Sequence, residues 1–243
     1  MSKASKGATG TGRGRRLGTQ LRGEMTALYD ARGKGSADLA LHYSPKAKRD
    51  VQLSGQLQFL HFLYCEIDCQ VATADYSPRS AIISLAGDKF AALVDAQVET
   101  VDGKVIWHRL IESEPDEAEI IGDLRAILGK GPLTGISALE TWTSARLTAN
   151  PMRLRNSLRA LAWMSAARHW PLAEFKSNVL ALISKRRSVT FDEVLNLEAG
   201  PRRALSGAAV LELACTGNIR SDLLEIPLHG LTKFHALGDS DDK

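Results

Sequence analysis

A hairpin with acidic residues on both of its strands constrains the fold of this chain more than any other feature. Apolar residues dominate the stretch Phe90-Ala-Ala-Leu-Val-Asp95 and return in Val105-Ile-Trp-His-Arg-Leu-Ile-Glu112-Ser-Glu114. Asp102-Gly103 stands between them, and an Asp-Gly pair between two apolar runs is typical of a hairpin turn. The sequence therefore predicts two paired strands, with Asp95 on the first and Glu112 and Glu114 on the second.

Helical and extended patterns alternate around this hairpin. The spacing of apolar residues predicts a helix at residues 51–66. Strands are predicted at residues 71–76, 81–85, 90–100 and 104–111. Pro115, followed by two acidic residues, begins a helix predicted at residues 118–128. Residues 37–132 are therefore predicted to form a mixed α/β domain.

The character of the sequence changes after a Gly- and Pro-containing break at residues 129–151. Amphipathic helices are predicted at residues 153–167 and 172–184, and shorter helices at residues 191–196 and 205–216. Strands follow at residues 219–224 and 230–237. Three of these helices followed by a β-hairpin give the winged-helix order, so residues 150–238 are predicted to form a mainly α, winged-helix-like domain.

Composition limits the class of protein. A chain of 243 residues that is 44% hydrophobic can bury a core. It contains neither an apolar run of the roughly 18 residues that cross a bilayer nor a signal-peptide core, so we expect a cytoplasmic protein without a membrane partner. Cys65, Cys69 and Cys215 lack zinc-type spacing and are expected to be buried free thiols. A metal site built on Cys65 and Cys69 is the alternative.

The charge of the chain is small overall, at +3, but unevenly distributed. Residues 1–36 combine low hydrophobicity with many cations, which predicts a disordered basic arm, whereas residues 239–243 form an acidic tail. We expect the arm and the loop that follows it to contact DNA phosphates. The candidate residues are Arg13, Arg15, Arg16, Lys46, Lys48 and Arg49. The alternative is a solvated tail that only aids solubility.

The acidic residues of the hairpin can support metal chemistry. Paired strands hold side chains at fixed spacing, and carboxylate oxygens are the ligands that Mg²⁺ prefers. A cation held by Asp95 and Glu112 would activate water for attack on a phosphate. Glu112 and Glu114 are two apart and share one face of the strand, so Asp95, Glu112 and Glu114 form the predicted catalytic set. The alternative is that these acids face solvent beside an ordinary turn.

Taken together, residues 42–237 resemble the TnsA family, the endonuclease subunit of heteromeric Tn7-type transposases. Ser44-Pro45-Lys46 is similar to the loop before the first helix of that family. Val94-Asp95 is similar to its Pro-Asp, and Ile111-Glu-Ser-Glu-Pro115 is similar to its Val-Glu-Val-Lys-Pro. The resemblance implies a restriction-endonuclease-like domain of the PD-(D/E)xK type, followed by a winged-helix-like domain.

The resemblance also implies a role in DNA transposition. The expected partners are the DNA of transposon ends, an integrase-type transposase subunit and an AAA+ ATPase regulator. An active protein would cut the strand at the 5′ ends of the element with Mg²⁺ bound by Asp95 and Glu112. An inactive one would assemble transposase, ATPase and DNA.

Two departures from the family pattern bear on activity. Gln56 or Leu57 stands where the family has a helix carboxylate, and Glu114 stands where it has the motif lysine. The nuclease site is therefore expected to be degenerate. Alternatively, it is rewired, with a cation from another position in the role of the lysine; the candidates are Lys89, Lys104 and Arg109.

Two other classes of function remain open at this point. A stand-alone regulator would read DNA through the winged helix, and a restriction or repair endonuclease would cut without partners but needs an intact acid-acid-lysine set. Trp163 and Trp170 lie in a basic segment that, by the resemblance, contacts the ATPase; alternatively they are core residues. The six histidines show no metal-ligand spacing, and His108 is expected on the surface of its strand, with a phosphate contact as the alternative.

Overall fold

The structure, a computed structural model, describes residues 39–77, 94–113 and 136–238 of the chain. The chain divides into two units, Met1–Leu39 and Ala40–Lys243. The predicted basic arm, the strand at residues 81–85, the helix at residues 118–128 and the acidic tail lie outside the described residues. The described part has mixed α/β structure, as the sequence predicts.

Two short strands precede the first helix. Strand β1 (Leu39–Ser44) pairs with β2 (Arg49–Ser54), and α1 spans Gly55–Ile67. The helix predicted to begin at residue 51 therefore begins four residues later, and its first residues are a strand. Val51 and Leu53 are buried with Gln52 less so between them, which is the alternation of a strand, and Gly55 has a φ of 79° at the change to helix.

A four-stranded sheet follows α1. Its strands are β3 (Val71–Asp75), β4 (Ala96–Thr100), β5 (Val105–Ile111) and β6 (Ala138–Thr143), in that order across the sheet. Strand β4 is antiparallel to both β3 and β5, whereas β5 and β6 are parallel. The predicted hairpin is confirmed, because the Thr100 amide donates to the Lys104 carbonyl at 2.9 Å and Gly103 adopts a φ of 78°.

Strand β6 corrects the prediction of a mere break at residues 129–151. Ala138-Leu-Glu-Thr-Trp-Thr143 is short and largely polar, so no periodic pattern marks it as a strand. Strand β6 pairs with β5 in parallel, and a parallel pair requires a long crossover between its strands. The residues of β6 do not themselves indicate which strand they pair with. The sheet thus includes residues beyond 132, while the division into domains at residues 132 and 150 stays a prediction.

Helices predominate from residue 144 onward. Helix α2 spans Ser144–Thr148, α3 spans Pro151–Ala166 and α4 spans Ala173–Arg186; α5 (Phe191–Leu195) and α6 (Arg203–Cys215) follow, separated by a 3-10 helix at Gly200–Arg202. Three short strands, β7 (Ser188–Thr190), β8 (Arg220–Ser221) and β9 (Lys233–His235), form a sheet in the order β7-β9-β8. The predicted helices of this part are confirmed to within a few residues.

Local capping explains where two of these helices begin. The Asn150 side chain accepts a hydrogen bond from the Arg153 amide at 2.9 Å, and Pro151 occupies the first turn of α3. Thr190 and Glu193 form a reciprocal capping box at the start of α5, in which each side chain bonds the amide of the other residue.

The core is built around α6. Every residue from Ser206 to Cys215 is buried, and α6 contacts α3, α4 and α5. Gly207 permits a close approach between α6 and α3, since a Cβ atom there would lie 2.7 Å from the Trp163 ring. A continuous hydrophobic cluster joins Phe62 of α1 to Leu211 of α6. None of the helices in the described residues has the length and apolar character needed to cross a membrane.

Candidate functional site

Asp95 lies immediately before β4 and is engaged by its neighbours on β5. Its amide donates to the His108 carbonyl at 2.9 Å, which continues the hairpin ladder. Its carboxylate oxygen Oδ2 accepts from the Arg109 guanidinium at 3.0 Å and from the Leu110 amide at 2.8 Å. The side chain is about three-quarters buried, at 26% exposure. The structure therefore places an internal cation where a nuclease would need a metal ion.

The electrostatics of this carboxylate follow from the same contacts. Burial raises the pKa of Asp95 above its ordinary value, whereas the hydrogen bond from the Leu110 amide and the charge of Arg109 act in the opposite direction. The desolvation of the charged carboxylate is thus only partly offset by its partners. Arg109 and the Leu110 amide supply part of the compensation that a metal ligand would otherwise take from its ion.

Glu112 follows the end of β5, and strand alternation separates it from Asp95. Ala96 pairs with His108, so Asp95 stands opposite Arg109 and shares its face of the sheet. Continued alternation along β5 assigns Glu112 to the opposite face, and its side chain is exposed just beyond the strand. Glu114, the third predicted catalytic residue, lies outside the described residues.

The described residues do not fit the magnesium ion that the resemblance implies. Asp95 is paired with Arg109, and Glu112 is exposed beyond the end of β5. Within residues 39–77, 94–113 and 136–238, no three His, Cys, Asp or Glu side chains are grouped so that they could hold a metal ion. Magnesium binding by Asp95 and Glu112 stays a prediction.

Of the cations considered as substitutes for the missing lysine, Arg109 is the one that contacts Asp95 among the described residues. Lys104 instead pairs with Asp102 at 2.7 Å at the exposed tip of the hairpin. Lys89 lies outside the described residues. The structure therefore singles out Arg109 as the cation of the candidate site.

The predicted phosphate-binding cations of the loop between β1 and β2 have different surroundings. The Lys46 ammonium donates to the Asp68 and Val71 carbonyls beyond the end of α1, and burial lowers its pKa. Lys48 is exposed but pairs with Glu212 of α6. Arg49 is exposed on β2. Two of these three cations, Lys46 and Lys48, are therefore engaged in contacts within the protein. The other predicted phosphate-binding cations, Arg13, Arg15 and Arg16, lie outside the described residues.

A buried histidine pair lies between α1 and β5. His61 Nε2 and His108 Nδ1 are 2.7 Å apart, and His61 Nδ1 lies 2.9 Å from the Tyr76 hydroxyl. His61 is fully buried and His108 is 4% exposed, so the prediction of His108 on the surface is wrong. The hydrophobic face of α1 packs on this side of the sheet and draws the imidazole inward.

Two side chains from the following elements cover the pair. Trp142 of β6 stacks on His108 with ring centroids 5.4 Å apart, and the Arg146 guanidinium of α2 lies 3.7 Å from the Trp142 ring centroid. Burial and the charge of Arg146 lower the pKa of His108 to about 4. Burial, together with His108 and Arg146, lowers the pKa of His61 well below its ordinary value. Both imidazoles are therefore neutral at neutral pH.

Sequence reasoning missed this pair because its members belong to different elements. His108 Nε2 has no hydrogen-bond partner within the described ranges, which leaves one buried polar atom unsatisfied. The available signal was the apolar setting of both residues, since His61 lies among Phe59, Phe62 and Leu63, and His108 follows Trp107.

The cysteines follow the prediction only in part. All three are free thiols; Cys65 and Cys215 are buried, as predicted, but Cys69 is exposed because it follows the end of α1. Burial raises the pKa of Cys65 and of Cys215 to about 12, so both stay protonated at neutral pH. These two thiols act as small core residues.

Comparison with known protein families and with curated proteins gives no match for this chain.

Proposed function

We propose that this protein is a TnsA-like component of a Tn7-type DNA transposition system, with a nuclease core that no longer cuts DNA. It would act in the cytoplasm at transposon ends, together with an integrase-type transposase subunit and an AAA+ ATPase regulator. Its task would be to hold these partners and the DNA in one assembly. The observation that carries the proposal is the ion pair between Asp95 and Arg109.

The order of elements supports the proposed ancestry. Helix α1, the antiparallel strands β3 to β5 and the parallel strand β6 follow one another in the sheet order β3-β4-β5-β6. Asp95 precedes the central strand β4, and Glu112 follows β5. This is the placement that a restriction-endonuclease-like core requires for its two strand acids, although their side chains are assigned to opposite faces here.

The ion pair supports the loss of cutting. An Asp95 carboxylate that binds Mg²⁺ must exchange the Arg109 guanidinium for the ion, which leaves a partly buried cation without its partner. Separating such a pair costs about 1 kcal/mol or more, and repulsion between Arg109 and the ion adds to this cost. The missing helix carboxylate at Gln56 or Leu57 removes a further ligand.

The second part of the chain supports an assembly role. The order α4, β7, α5, α6, β8, β9, with the sheet order β7-β9-β8, supports the winged-helix-like domain that we propose for residues 150–238. In a DNA reader of this type, the third helix enters the major groove. Here that helix is α6, which is buried from Ser206 to Cys215. Burial of α6 weighs against a stand-alone regulator that reads bases and favours contacts with proteins.

Nicking of DNA tests the proposal. The full chain is incubated with duplexes that contain the DNA flanking this gene in its genome, with Mg²⁺ or Mn²⁺, alone and with the integrase-type transposase and AAA+ ATPase that the proposal requires. We expect no nicking by this chain above the level of the Asp95→Ala variant, together with a partner-dependent complex on end-containing duplexes. Metal-dependent nicking that disappears in Asp95→Ala would contradict the loss of cutting, and absence of any complex would contradict the assembly role.

A further inference from the structure

An exposed tryptophan separates two clefts on the helical part of the chain. Trp170, which follows α3, is 61% exposed, an unusual exposure for the largest apolar side chain. On one side lies a cavity of 460 Å³ between the end of α3 and the start of α6. Its floor is formed by small side chains, among them Ala162, Ala166 and Ala204, and we call it the apolar cleft.

The second cleft, on the other side of Trp170, is basic. It measures 340 Å³ and shares Ala167 and Trp170 with the apolar cleft. Three of its lining residues are cations, Lys48, Arg168 and Lys176, whereas Glu212 is its single acidic lining residue within the described ranges. We call it the basic cleft.

The charges of the basic cleft are not balanced. Glu212 accepts from both Lys48 and Lys176, the latter at 3.0 Å, so that one carboxylate serves two ammonium groups. Arg168 pairs with Asp50 at 3.3 Å. An excess of positive charge in a half-enclosed cleft attracts a carboxylate from outside the chain.

We propose that the two clefts form a docking site for a partner protein segment that carries an acidic side chain and a bulky apolar side chain a few residues apart. The apolar side chain enters the apolar cleft, the carboxylate enters the basic cleft, and the segment crosses Trp170 between them. Aromatic side chains and arginine beside a pocket are typical anchors of protein interfaces. This site does not depend on the proposed role in transposition.

The surroundings favour a protein segment over a nucleic acid. Arg202 is the charged residue among those that line the apolar cleft, and its guanidinium is engaged by Glu198 at 2.9 Å and by Glu174 at 3.5 Å. These carboxylates repel phosphates, and their ion pairs with Arg202 compete with any phosphate for its guanidinium. The alanine floor offers no donors or acceptors to the edge of a base, which would lose its hydrogen bonds to water on entry. An apolar side chain has no hydrogen bonds to water to lose when it enters the cleft.

A displayed library of random peptides, panned on the full-length chain, tests the site. We expect enriched sequences that pair Asp or Glu with Leu, Phe or Trp. The affinity of a synthetic peptide of that type should fall at least about tenfold when its acid is replaced by the amide, which corresponds to about 1.4 kcal/mol. A similar loss is expected for the Trp170→Ala variant, whose side chain is too exposed to carry the fold.

A matched pair of variants locates the binding. Ala166→Gln places a longer neutral side chain in the apolar cleft and should weaken the peptide at least about tenfold. Ala181→Gln makes the same change at an exposed position of α4 outside both clefts and should leave the affinity unchanged. Equal affinities for Ala166→Gln and Ala181→Gln, or enriched peptides without the acidic and apolar pairing, would overturn the proposal. Binding of oligothymidylate that Ala166→Gln abolishes would overturn it in favour of nucleic acid.

Discussion

Acidification is expected to destabilise this protein through its buried histidine pair. Burial and the Arg146 guanidinium lower the pKa of His108 from 6.5 to about 4, and the pKa of His61 is lowered well below 6.5. The unfolded chain therefore binds these protons at a higher pH than the folded chain. The stability that depends on the neutral pair is complete above about pH 6.5 and is lost as the pH falls toward 4.

The expected loss is large relative to the stability of a typical protein. For His108 alone, a pKa difference of about 2.5 corresponds to about 3 kcal/mol, of which about 2 kcal/mol is lost between about pH 7 and pH 4.5. Protonation of His61 adds to this loss. Glu66 and Asp95 oppose it at the acidic end of the window, because burial raises their pKa and the folded state then binds their protons first. A variant is therefore needed to isolate the histidine contribution.

Urea unfolding followed by tryptophan fluorescence at several pH values measures the effect. His108→Asn keeps an amide that can bond His61 but cannot be protonated, and His169→Asn makes the same change at an exposed position. We expect the free energy of unfolding of His108→Asn to fall by about 2 kcal/mol less between about pH 7 and pH 4.5 than that of the wild type. His169→Asn should follow the wild type. An equal fall of the free energy of unfolding in wild type and His108→Asn would show that protonation of His108 does not destabilise the protein.

Three further predictions concern other parts of the molecule. A double-mutant cycle of Asp95→Ala and Arg109→Ala should give a coupling energy of about 1 kcal/mol in urea unfolding, and a value near zero would contradict a structural ion pair. Gly207→Ala should destabilise the fold by about 1–3 kcal/mol, because its methyl group meets the Trp163 ring, and an unchanged melting temperature would show that the ring moves freely. Removal of residues 1–36 should weaken non-specific DNA binding and flatten its salt dependence, measured by fluorescence anisotropy; an unchanged slope would make the arm a solubility tail.

Elements with local signals could be predicted from the sequence. The Asp102-Gly103 turn and the apolar runs beside it determine the hairpin of β4 and β5. A two-residue Asp102-Gly103 turn would align Asp95 with Leu110. The turn of the structure has three residues, with Thr100 bonded to Lys104, and aligns Asp95 with Arg109, so the ion pair could not be derived from the turn signal alone. The helices after residue 150 begin at recognisable caps such as Asn150-Pro151.

Features that depend on distant parts of the chain could not be predicted in the same way. Strand β6 has no periodic pattern of its own and is stabilised by parallel pairing with β5. His61 and His108 are 47 residues apart and meet only because α1 packs on the sheet. The basic sequence around Lys46 predicts a phosphate contact, yet its ammonium group donates to the carbonyls of Asp68 and Val71, beyond the end of α1. In each case tertiary packing determines the role.

The frequency of transposition in cells tests whether this protein has an assembly role in transposition that does not require it to cut DNA. The proposal places this gene in a mobile element. That DNA is marked with a resistance gene, and the frequency is compared for wild type, a deletion of the gene, and the double variant Asp95→Asn, Glu112→Gln, with protein levels measured in each. We predict that the deletion abolishes transposition and that the double variant retains it within a few-fold of wild type. Abolition by the double variant at a normal protein level would contradict an assembly role without cutting, and an unaffected deletion strain would contradict a role in transposition altogether.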